Sequence, residues 1–388
     1  MGFMSNRVNF VYSDDFSQYC FNKTHPFNPI RLELTYELME ELNLFNSPNI
    51  KVIKSESVDL EDLARVHTDE YIDIVRSVSR DNKSYSGIEL LNYNLGTGDN
   101  PIFPGMFEAA LLLVGSTLTA AKVVYENKSD YSMNIGGGLH HGIKSAASGF
   151  CIFNDIAVAI KYLQSQEKDL KILYIDLDVH HGDGVQNIFY DDPNVLCISI
   201  HEDGRFQFPG TGFVDERGKD EGFGYTINVP VLPNTPDNIY FEIIESIMPK
   251  IFENYHPDYV FTQFGVDTHY TDLLGHLSLT TNVYSKITSF LRELISKYSN
   301  NKWIVLGGGG YSIEVVPRAW SLILSGMLGV TLNEDLPETW RERFRKITKN
   351  EAPKKLHDPK VYLEDERLRK YSEELIEKLK SHVDFLAD

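Results

Sequence analysis

Short apolar runs alternate with longer segments of helical periodicity along most of this chain. The runs are typical of buried parallel strands, and the periodic segments predict amphipathic helices that pack on them. The predicted strands are residues 6–12, 50–53, 132–135, 171–178, 195–199, 225–229, 259–264 and 303–306. The predicted helices are residues 30–44, 60–66, 69–79, 107–125, 155–164, 240–252, 283–298 and 315–327. This alternation predicts an α/β fold with a mainly parallel β-sheet flanked by helices on both faces.

The end of the chain is predicted to be helical as well. Residues 364–383 place Leu368, Tyr371, Leu375, Leu379 and Val383 at helical spacing, as expected of a packed terminal helix. We therefore predict a main domain over residues 1–332 and a helical extension over residues 333–388 that packs on the same domain.

Composition narrows the classes of function. The net charge of −19 disfavours nucleic acid as a partner, because phosphate binding needs a basic surface, and it suits a cationic ligand. The 3 cysteines show no CxxC spacing, which argues against a disulfide framework and fits a reducing compartment. The sequence shows no apolar signal core and no long apolar run, so we expect a soluble cytoplasmic protein without a membrane partner. The oligomeric state is not predicted.

The most informative stretch follows the apolar run at residues 171–175 and contains Asp176, Asp178 and His180. Ligands of open α/β sheets bind beyond the carboxyl ends of the strands, where these residues fall. Spacing by two places the three side chains on one face while the chain stays extended. Buried charges must pair or bind a cation, so Asp178 and His180 are candidate ligands of one metal. The alternative is a solvated acidic turn.

A glycine-rich loop at residues 136–138 brings His140 and His141 to the same edge of the sheet. Two adjacent imidazoles suit proton transfer when a carboxylate orients each ring, and Asp176 and Asp183 are available for this. The alternative is a pair of surface histidines.

Asp267 follows another predicted strand and is a candidate third metal ligand. Two carboxylates and one imidazole leave coordination positions open for water, as in catalytic metal sites. The alternative is an ordinary turn or helix cap.

Four glycines at residues 307–310 precede Tyr311. They fit neither GxGxxG nor GK[ST], so nucleotide binding is disfavoured. The phenol of Tyr311 is instead a candidate donor to an oxyanion. Phe150 and Phe208 lie on loops, where they either pack simply or line a slot for a methylene chain.

These motifs resemble those of the zinc-dependent deacetylases of the histone deacetylase superfamily, in the same order and over roughly residues 6–330. The form of the histidine motif favours the branch of class I enzymes and acetoin-utilisation proteins. The motifs are Gly-Gly-Leu-His-His, Ser-Gly-Phe-Cys, Asp-Leu-Asp-Val-His-His-Gly-Asp-Gly, Phe-Pro-Gly-Thr-Gly, Gly-Val-Asp and Gly-Gly-Gly-Gly-Tyr.

The resemblance implies an arginase-like fold for a deacetylase catalytic domain and a role for each matching residue. The implied zinc ligands are Asp178, His180 and Asp267. The implied catalytic residues are His140, His141 and Tyr311, with Asp176 and Asp183 orienting the histidines. The implied substrate-binding residues are Phe150, Phe208 and Gly149 in the tunnel, Asp99 at its rim and Arg31 near an acetate-release pocket. Structural K⁺ or Na⁺ ions are implied at two sites, one with Asp176 and Ser199, the other with Phe189, Val195 and Tyr225.

The implied activity is removal of acetyl groups from acetyl-lysine proteins or peptides, an acyl-CoA synthetase being one candidate partner. The oxygen-rich ligand set admits Zn²⁺ or, in the cell, Fe²⁺. Alternatives are an amidohydrolase for acetylpolyamines or other small amides, and a non-catalytic acyl-lysine-binding module. An arginase-type binuclear manganese enzyme shares the implied fold, but the sequence offers no complete second set of metal ligands. The loop after Asp267 departs from eukaryotic class I members, which leaves substrate preference open.

Overall fold

A computed structural model describes residues 6–81, 85–360, 365–382 and 385. Its strands form one eight-stranded sheet, in the order β2-β1-β3-β8-β7-β4-β5-β6, and every pair of neighbours is parallel. The strands are β1 (Val8–Val11), β2 (Ile50–Ile53), β3 (Tyr131–Asn134), β4 (Ile172–Asp176), β5 (Val195–Glu202), β6 (Thr226–Val231), β7 (Tyr259–Gln263) and β8 (Trp303–Leu306).

Helices flank this sheet and bury it, which confirms the predicted fold class. The first six are α1 (Ile30–Glu41), α2 (Leu60–Ala64), α3 (Asp69–Arg80), α4 (Gly87–Leu91), α5 (Met106–Tyr125) and α6 (Asp155–Gln166). The remainder are α7 (Asp183–Ile188), α8 (Asp237–Tyr255), α9 (Thr281–Tyr298), α10 (Val316–Leu328), α11 (Glu338–Thr348) and α12 (Glu366–His382).

The centre of the sheet positions the candidate site. The central strands β3, β8, β7 and β4 are buried along their whole length, as expected of a parallel sheet covered on both faces. In the β4–β7 register Asp176 lies opposite Gln263, and in the β4–β5 register it lies opposite Ser199. The loops after these strands therefore meet at one edge.

Helix α5 is long and apolar enough to cross a membrane, by length and composition alone. In this fold it packs on β1, β3 and α6, and most of its residues are buried. Small residues such as Ala109, Ala110 and Gly115 allow this close approach. Its apolar character is thus explained by the core.

Several predicted boundaries were wrong. Strand β4 ends at Asp176 rather than at residue 178, so alternation along a strand does not explain how Asp178 and His180 meet. Residues 84–104 are rich in Gly, Asn and Pro, which predicts a loop. Helix α4 lies within this segment, where a capping box at Ser86 and Glu89 starts it. Helices α7 and α11 were not predicted at all. Helix α7 is only 6 residues long and begins within the site motif, which masks its periodicity.

The C-terminal residues pack on the rest of the chain in two places. Trp340 and Phe344 of α11 form a second buried cluster with Leu34 and Leu38 of α1, and Trp340 Nε1 donates to Leu34 O at 2.9 Å. Helix α12 packs on α8 and β6. The two ends of the predicted terminal helix, residues 364 and 383, lie outside the described residues. The division at residue 332 stays a prediction.

Candidate active site

Asp178, His180 and Asp267 form one cluster at the carboxyl edge of the sheet. Nδ1 of His180 lies 3.0 Å from Oδ1 of Asp178 and 3.2 Å from Oδ2 of Asp267. All three residues are buried, and they are the one group of potential metal ligands of this kind in the described part of the chain. The structure thus brings together residues that the sequence separates by 87 positions.

Hydrogen bonds from the surrounding loops hold the two carboxylates in place. Oδ2 of Asp178 accepts from Nε2 of Gln263 at 2.7 Å and from the Gly309 N–H at 2.8 Å. Oδ1 of Asp267 accepts from the Val179 N–H at 2.9 Å. A turn after β4 orients His180, because its own N–H donates to Oδ1 of Asp178 at 3.0 Å.

These three side chains fit a divalent metal. Burial and the charge of Asp178 raise the pKa of Asp267 to about 7, since two buried carboxylates repel each other when no cation lies between them. Two carboxylate oxygens and one imidazole nitrogen suit Zn²⁺ or Fe²⁺ and leave positions for water and substrate. The described residues supply no second cluster of this kind, as an arginase-type binuclear centre would need.

His140 and His141 lie beside the cluster, and each ring is held by a different carboxylate. Nδ1 of His140 donates to Oδ2 of Asp176 at 2.8 Å, and Nδ1 of His141 donates to Oδ1 of Asp183 at 2.6 Å. The two ring centroids are 4.0 Å apart. Because Nδ1 carries the proton in both bonds, Nε2 is the atom of each ring that is free to exchange a proton.

The surroundings shift the pKa values of the two histidines in opposite directions. Burial alone lowers the pKa of His140, but the charges of Asp176 and Asp178 outweigh it and raise the pKa to about 9. Burial and the positive charge of His140 lower the pKa of His141 to about 4, against the raising effect of Asp183. A dication held by the cluster would offset the Asp178 charge and narrow this difference. Such a pair has one proton donor and one proton acceptor.

The glycine loop that carries these histidines is fixed by a buried carboxylate that sequence reasoning missed. Asp155 accepts from the N–H groups of Gly138 and Leu139 at 2.9 and 2.7 Å, and from the hydroxyl of Thr117. Gly138 has a φ of +97°, and a Cβ there would lie 2.7 Å from the carbonyl oxygen of Gly307. The loop therefore packs directly on the loop that precedes Tyr311.

A cavity of about 200 Å³ leads from the surface to these groups. Its walls include Phe150, Phe208 and Gly149. The ring of Phe208 packs edge-on against His141 with centroids 5.0 Å apart, and the ring of Phe150 packs likewise against Tyr311 at 5.8 Å. The other lining residues are Asp99, His141, His180, Gln207, Leu274 and Tyr311.

Tyr311 reaches the cavity from the loop after β8. Its N–H donates to Oδ2 of Asp272 at 2.7 Å. Burial and the negative charges of Asp267 and Asp178 raise the pKa of its phenol well above the usual value. The phenol is therefore protonated at neutral pH and available as a donor.

Of the other two predicted substrate-binding residues, Asp99 lines the cavity and Arg31 lies apart from it. Arg31 is buried and does not line the cavity; its Nη1 donates to Gly308 O at 2.8 Å and Gly310 O at 3.0 Å, beneath the Tyr311 loop. Its Nε has no hydrogen-bond partner among the residues that the structure describes. Asp99 is exposed at the mouth of the cavity.

The residues predicted for monovalent cations fall into two places. Asp176 and Ser199 are neighbours across β4 and β5. The backbone near Phe189, Val195 and Tyr225 is already bonded in part, since Phe189 O accepts from Asp192 at 3.0 Å and Tyr225 O from Cys197 at 2.9 Å.

Sequence reasoning also missed Gln263, Leu274 and His25. Gln263 is the polar last residue of buried strand β7, and this position was a usable signal. Leu274 lines the cavity although it lies in an irregular loop. The ring of His25 packs on Phe150 at 4.6 Å, a contact that local sequence cannot predict.

Comparisons with known proteins identify the family of this chain. The model of the histone deacetylase domain matches residues 25–327. The acetoin utilization protein AcuC of Bacillus subtilis is 43% identical over 351 residues, which cover 90% of this chain and 89% of that protein. AcuC of Staphylococcus aureus (strain MRSA252) is 38% identical over 91% of this chain and 90% of that protein.

Two solved structures, both of HDAC homologs, also resemble this chain. The crystal structure of an HDAC homolog complexed with SAHA superposes with a TM-score of 0.86 at 30% identity, covering 96% of this chain and all of that one. The HDAC homolog from Aquifex aeolicus gives a TM-score of 0.84 at 30% identity, covering 95% of this chain and all of that one.

The fold, the site and these similarities define a deacetylase, and thus a hydrolase, with the arginase/deacetylase architecture. The chain belongs to the histone deacetylase superfamily. Within it, the chain is an AcuC-like member.

Proposed function

We propose that this protein removes acetyl groups from N-acetyl-lysine side chains of proteins, with zinc, or ferrous iron in the cell, at Asp178, His180 and Asp267. One observation carries the proposal. His141, His180 and Tyr311 line one cavity, His140 packs against His141, and Asp178 and Asp267 cluster with His180. Together they supply a metal site, a proton acceptor and an oxyanion donor for amide hydrolysis.

The shape and charge of the cavity support a lysine side chain as its occupant. Phe150 and Phe208 offer apolar surfaces to the methylene groups, and Gly149 leaves room between them. Asp99 at the mouth can accept hydrogen bonds from the substrate backbone. The net charge of −19 favours substrates with basic residues.

When bound, the metal would supply Lewis acidity to the acetyl carbonyl and lower the pKa of water. His141 accepts the proton of the attacking water at Nε2 while Asp183 stabilises the resulting imidazolium through Nδ1. The phenol of Tyr311 donates a hydrogen bond to the tetrahedral oxyanion. His141 then returns the proton to the leaving nitrogen as the C–N bond breaks, which yields the free lysine amine and acetic acid, and the acid then ionises to acetate. His140, held by Asp176, provides the neighbouring positive charge.

We extend the proposal to the surroundings of the reaction. Structural K⁺ or Na⁺ ions would be held near Asp176 and Ser199, and near Phe189, Val195 and Tyr225. The similarity to acetoin utilization proteins favours a cytoplasmic substrate, and an acyl-CoA synthetase is one candidate.

A second candidate is an amidohydrolase for acetylpolyamines. The acidic mouth at Asp99 and the overall negative charge suit a polyamine as well as a basic peptide. Turnover of acetylspermidine beside acetyl-lysine peptides separates the two. We expect kcat/KM to favour the peptides.

The test combines metal analysis with acetate release from acetylated peptides, longer acyl peptides and acetylspermidine. We expect release to require bound zinc or iron, and Tyr311→Phe to lower kcat by about 10²–10³ because one oxyanion donor is lost. Tyr270→Phe, an exposed tyrosine on the loop after β7, is the matched control. Peptide binding without acetate release would make the protein an acyl-lysine-binding module and overturn the proposal.

A further inference from the structure

Asp358 lies beyond the residues matched by the family model, and its carboxylate bonds to three separate segments of the matched region. Its side chain is 9% exposed. Oδ1 accepts from Nη1 of Arg318 at 2.9 Å, and Oδ2 accepts from Nε2 of His269 at 2.7 Å and from the Thr281 N–H at 2.9 Å. One carboxylate from the C-terminal segment thus joins α9, α10 and the loop after β7.

Two of these partners flank the segments that carry the reaction. His269 follows the metal-ligand candidate Asp267 in the same loop. Arg318 lies in the first turns of α10, just after the Tyr311 loop, and its Nε donates to Glu314 O at 2.9 Å. Through His269 and Arg318, Asp358 therefore connects the loop that contains Asp267 to the helix that follows Tyr311.

A chain of hydrogen bonds leads from Asp358 towards Tyr311. Because Nε2 of His269 donates to Asp358, its Nδ1 carries a lone pair and accepts from the Thr271 N–H at 3.2 Å. Oγ1 of Thr271 lies 3.2 Å from Oγ of Ser312, the residue after Tyr311.

A carboxylate in the same loop closes the connection. Asp272, the residue after Thr271, accepts from the N–H groups of both Tyr311 and Ser312, at 2.7 and 3.2 Å. The loop after β7 is therefore bonded to Asp358 at one end and to the backbone of Tyr311 at the other. The backbone that carries Tyr311 is thus bonded to the loop of His269.

We propose that Asp358 is a positioning residue that fixes the Tyr311 loop through His269, Thr271 and Ser312. The inference rests on the proposed function in that it takes Tyr311 to be the oxyanion donor. The competing explanation is a purely structural role, in which the buried ion pair with Arg318 holds the C-terminal segment to α10 without affecting the tyrosine.

The first test is Asp358→Asn, which keeps the shape of the side chain and removes its charge. We expect kcat to fall about tenfold to a hundredfold with KM unchanged, since misplacing a catalytic group by about 1 Å has such an effect. Asp130→Asn is the matched control, because it breaks the ion pair with Arg7 at the opposite edge of the sheet. Activity is measured well below the melting temperature of each variant.

The same substitution in Tyr311→Phe separates positioning from general destabilisation. If Asp358 acts through the phenol, Asp358→Asn has little further effect on kcat once the hydroxyl is gone. An equal loss of kcat in both backgrounds, or no loss in the wild-type background, overturns the proposal.

A second variant, Ser312→Ala, tests the proposal even if Asp358→Asn does not fold. A second measurement, hydrogen exchange, tests it without a substrate. Ser312→Ala removes no charge, and we expect kcat to fall about twofold to tenfold, the effect of one hydrogen bond. Hydrogen exchange of the Tyr311 and Ser312 amides should accelerate in Asp358→Asn and stay unchanged in Asp130→Asn.

The exchange result stands even if acetyl-lysine is not the substrate. Kinetics use whichever acetylated peptide or polyamine the wild type hydrolyses, so a failed lysine assay counts against the proposed function alone. Unchanged exchange at residues 311 and 312 in Asp358→Asn counts against the positioning role alone.

Discussion

Nδ1 of His141 donates a hydrogen bond to Oδ1 of Asp183 at 2.6 Å, deep in the wall of the candidate active site. The bond fixes the tautomer of the ring and leaves Nε2 as the proton-accepting atom. The same carboxylate oxygen also accepts from the Gly184 N–H at 2.9 Å, which anchors it at the start of α7. In the proposed mechanism, proton transfer by His141 thus depends on a residue that needs no contact with the substrate.

Asp183→Asn is expected to lower kcat by about 10²-fold, because a neutral amide neither fixes the tautomer nor stabilises the imidazolium. The measurement is steady-state release of acetate. Asp191→Asn is the control, since that carboxylate is exposed and pairs only with Lys219 among the described residues. A kcat within twofold of wild type would remove Asp183 from the scheme.

Gly149→Ala is expected to narrow the tunnel and lower kcat/KM at least about tenfold. A Cβ at this position would lie 2.4 Å from Cδ2 of His141. Gly224→Ala is a matched control, because Gly224 also has a positive φ, of +92°, but its Cβ would meet nothing within 4 Å. Both variants should lose about 1 kcal/mol of stability from backbone strain, whereas activity should fall in Gly149→Ala alone.

Removal of the metal is expected to abolish activity and lower the melting temperature. The cation would relieve the repulsion between Asp178 and Asp267 and would therefore bind the folded state only. Such binding should add about 2.7 kcal/mol of stability when the metal concentration is a hundred times its Kd. Thermal melts with and without chelator, followed by re-addition of zinc or iron, measure this effect. Asp267→Asn should lose the metal-dependent shift, and Asp215→Asn, an exposed residue, should keep it. If the melting temperature of the wild type is the same with and without the metal, the result would contradict a metal site at this cluster.

His67 is expected to make stability depend on pH. Its Nδ1–H donates to Ile143 O at 3.1 Å, and its Nε2 accepts from the Asn154 N–H at 3.0 Å, so the neutral ring is built into the fold. Burial lowers the pKa of His67 from 6.5 to about 4. Since the unfolded state binds the proton more readily, stability is complete above about pH 6.5 and is lost as the pH falls towards 4, by roughly 3 kcal/mol.

Urea melts between pH 7 and 4 test this dependence in wild type and in His67→Gln. Glutamine does not titrate, so the stability of His67→Gln should fall less steeply than that of the wild type over the same pH range. Parallel curves for the two proteins would show that His67 has no part in the pH dependence.

Much of the candidate site could be predicted because its residues follow apolar runs. Each such run predicts a buried strand, and parallel strands end at the same edge of a sheet. On that basis Asp178, His180 and Asp267 were expected to meet, and they do. The reason given for Asp178 and His180 was partly wrong, because the strand ends before them and a turn brings them together.

By itself the sequence determined which strands and helices form the α/β core, and which polar side chains stand at the ends of the strands. Both depend on local periodicity and on backbone chemistry within a few residues. Only the tertiary structure decided that Gln263 supports Asp178, that Asp155 fixes the glycine loop, and that Asp358 reaches the loop of His269. These contacts depend on the strand order β3-β8-β7-β4 and on the path of the C-terminal segment. Packing of the whole chain selects that order, because contacts between distant residues leave no pattern within any one segment.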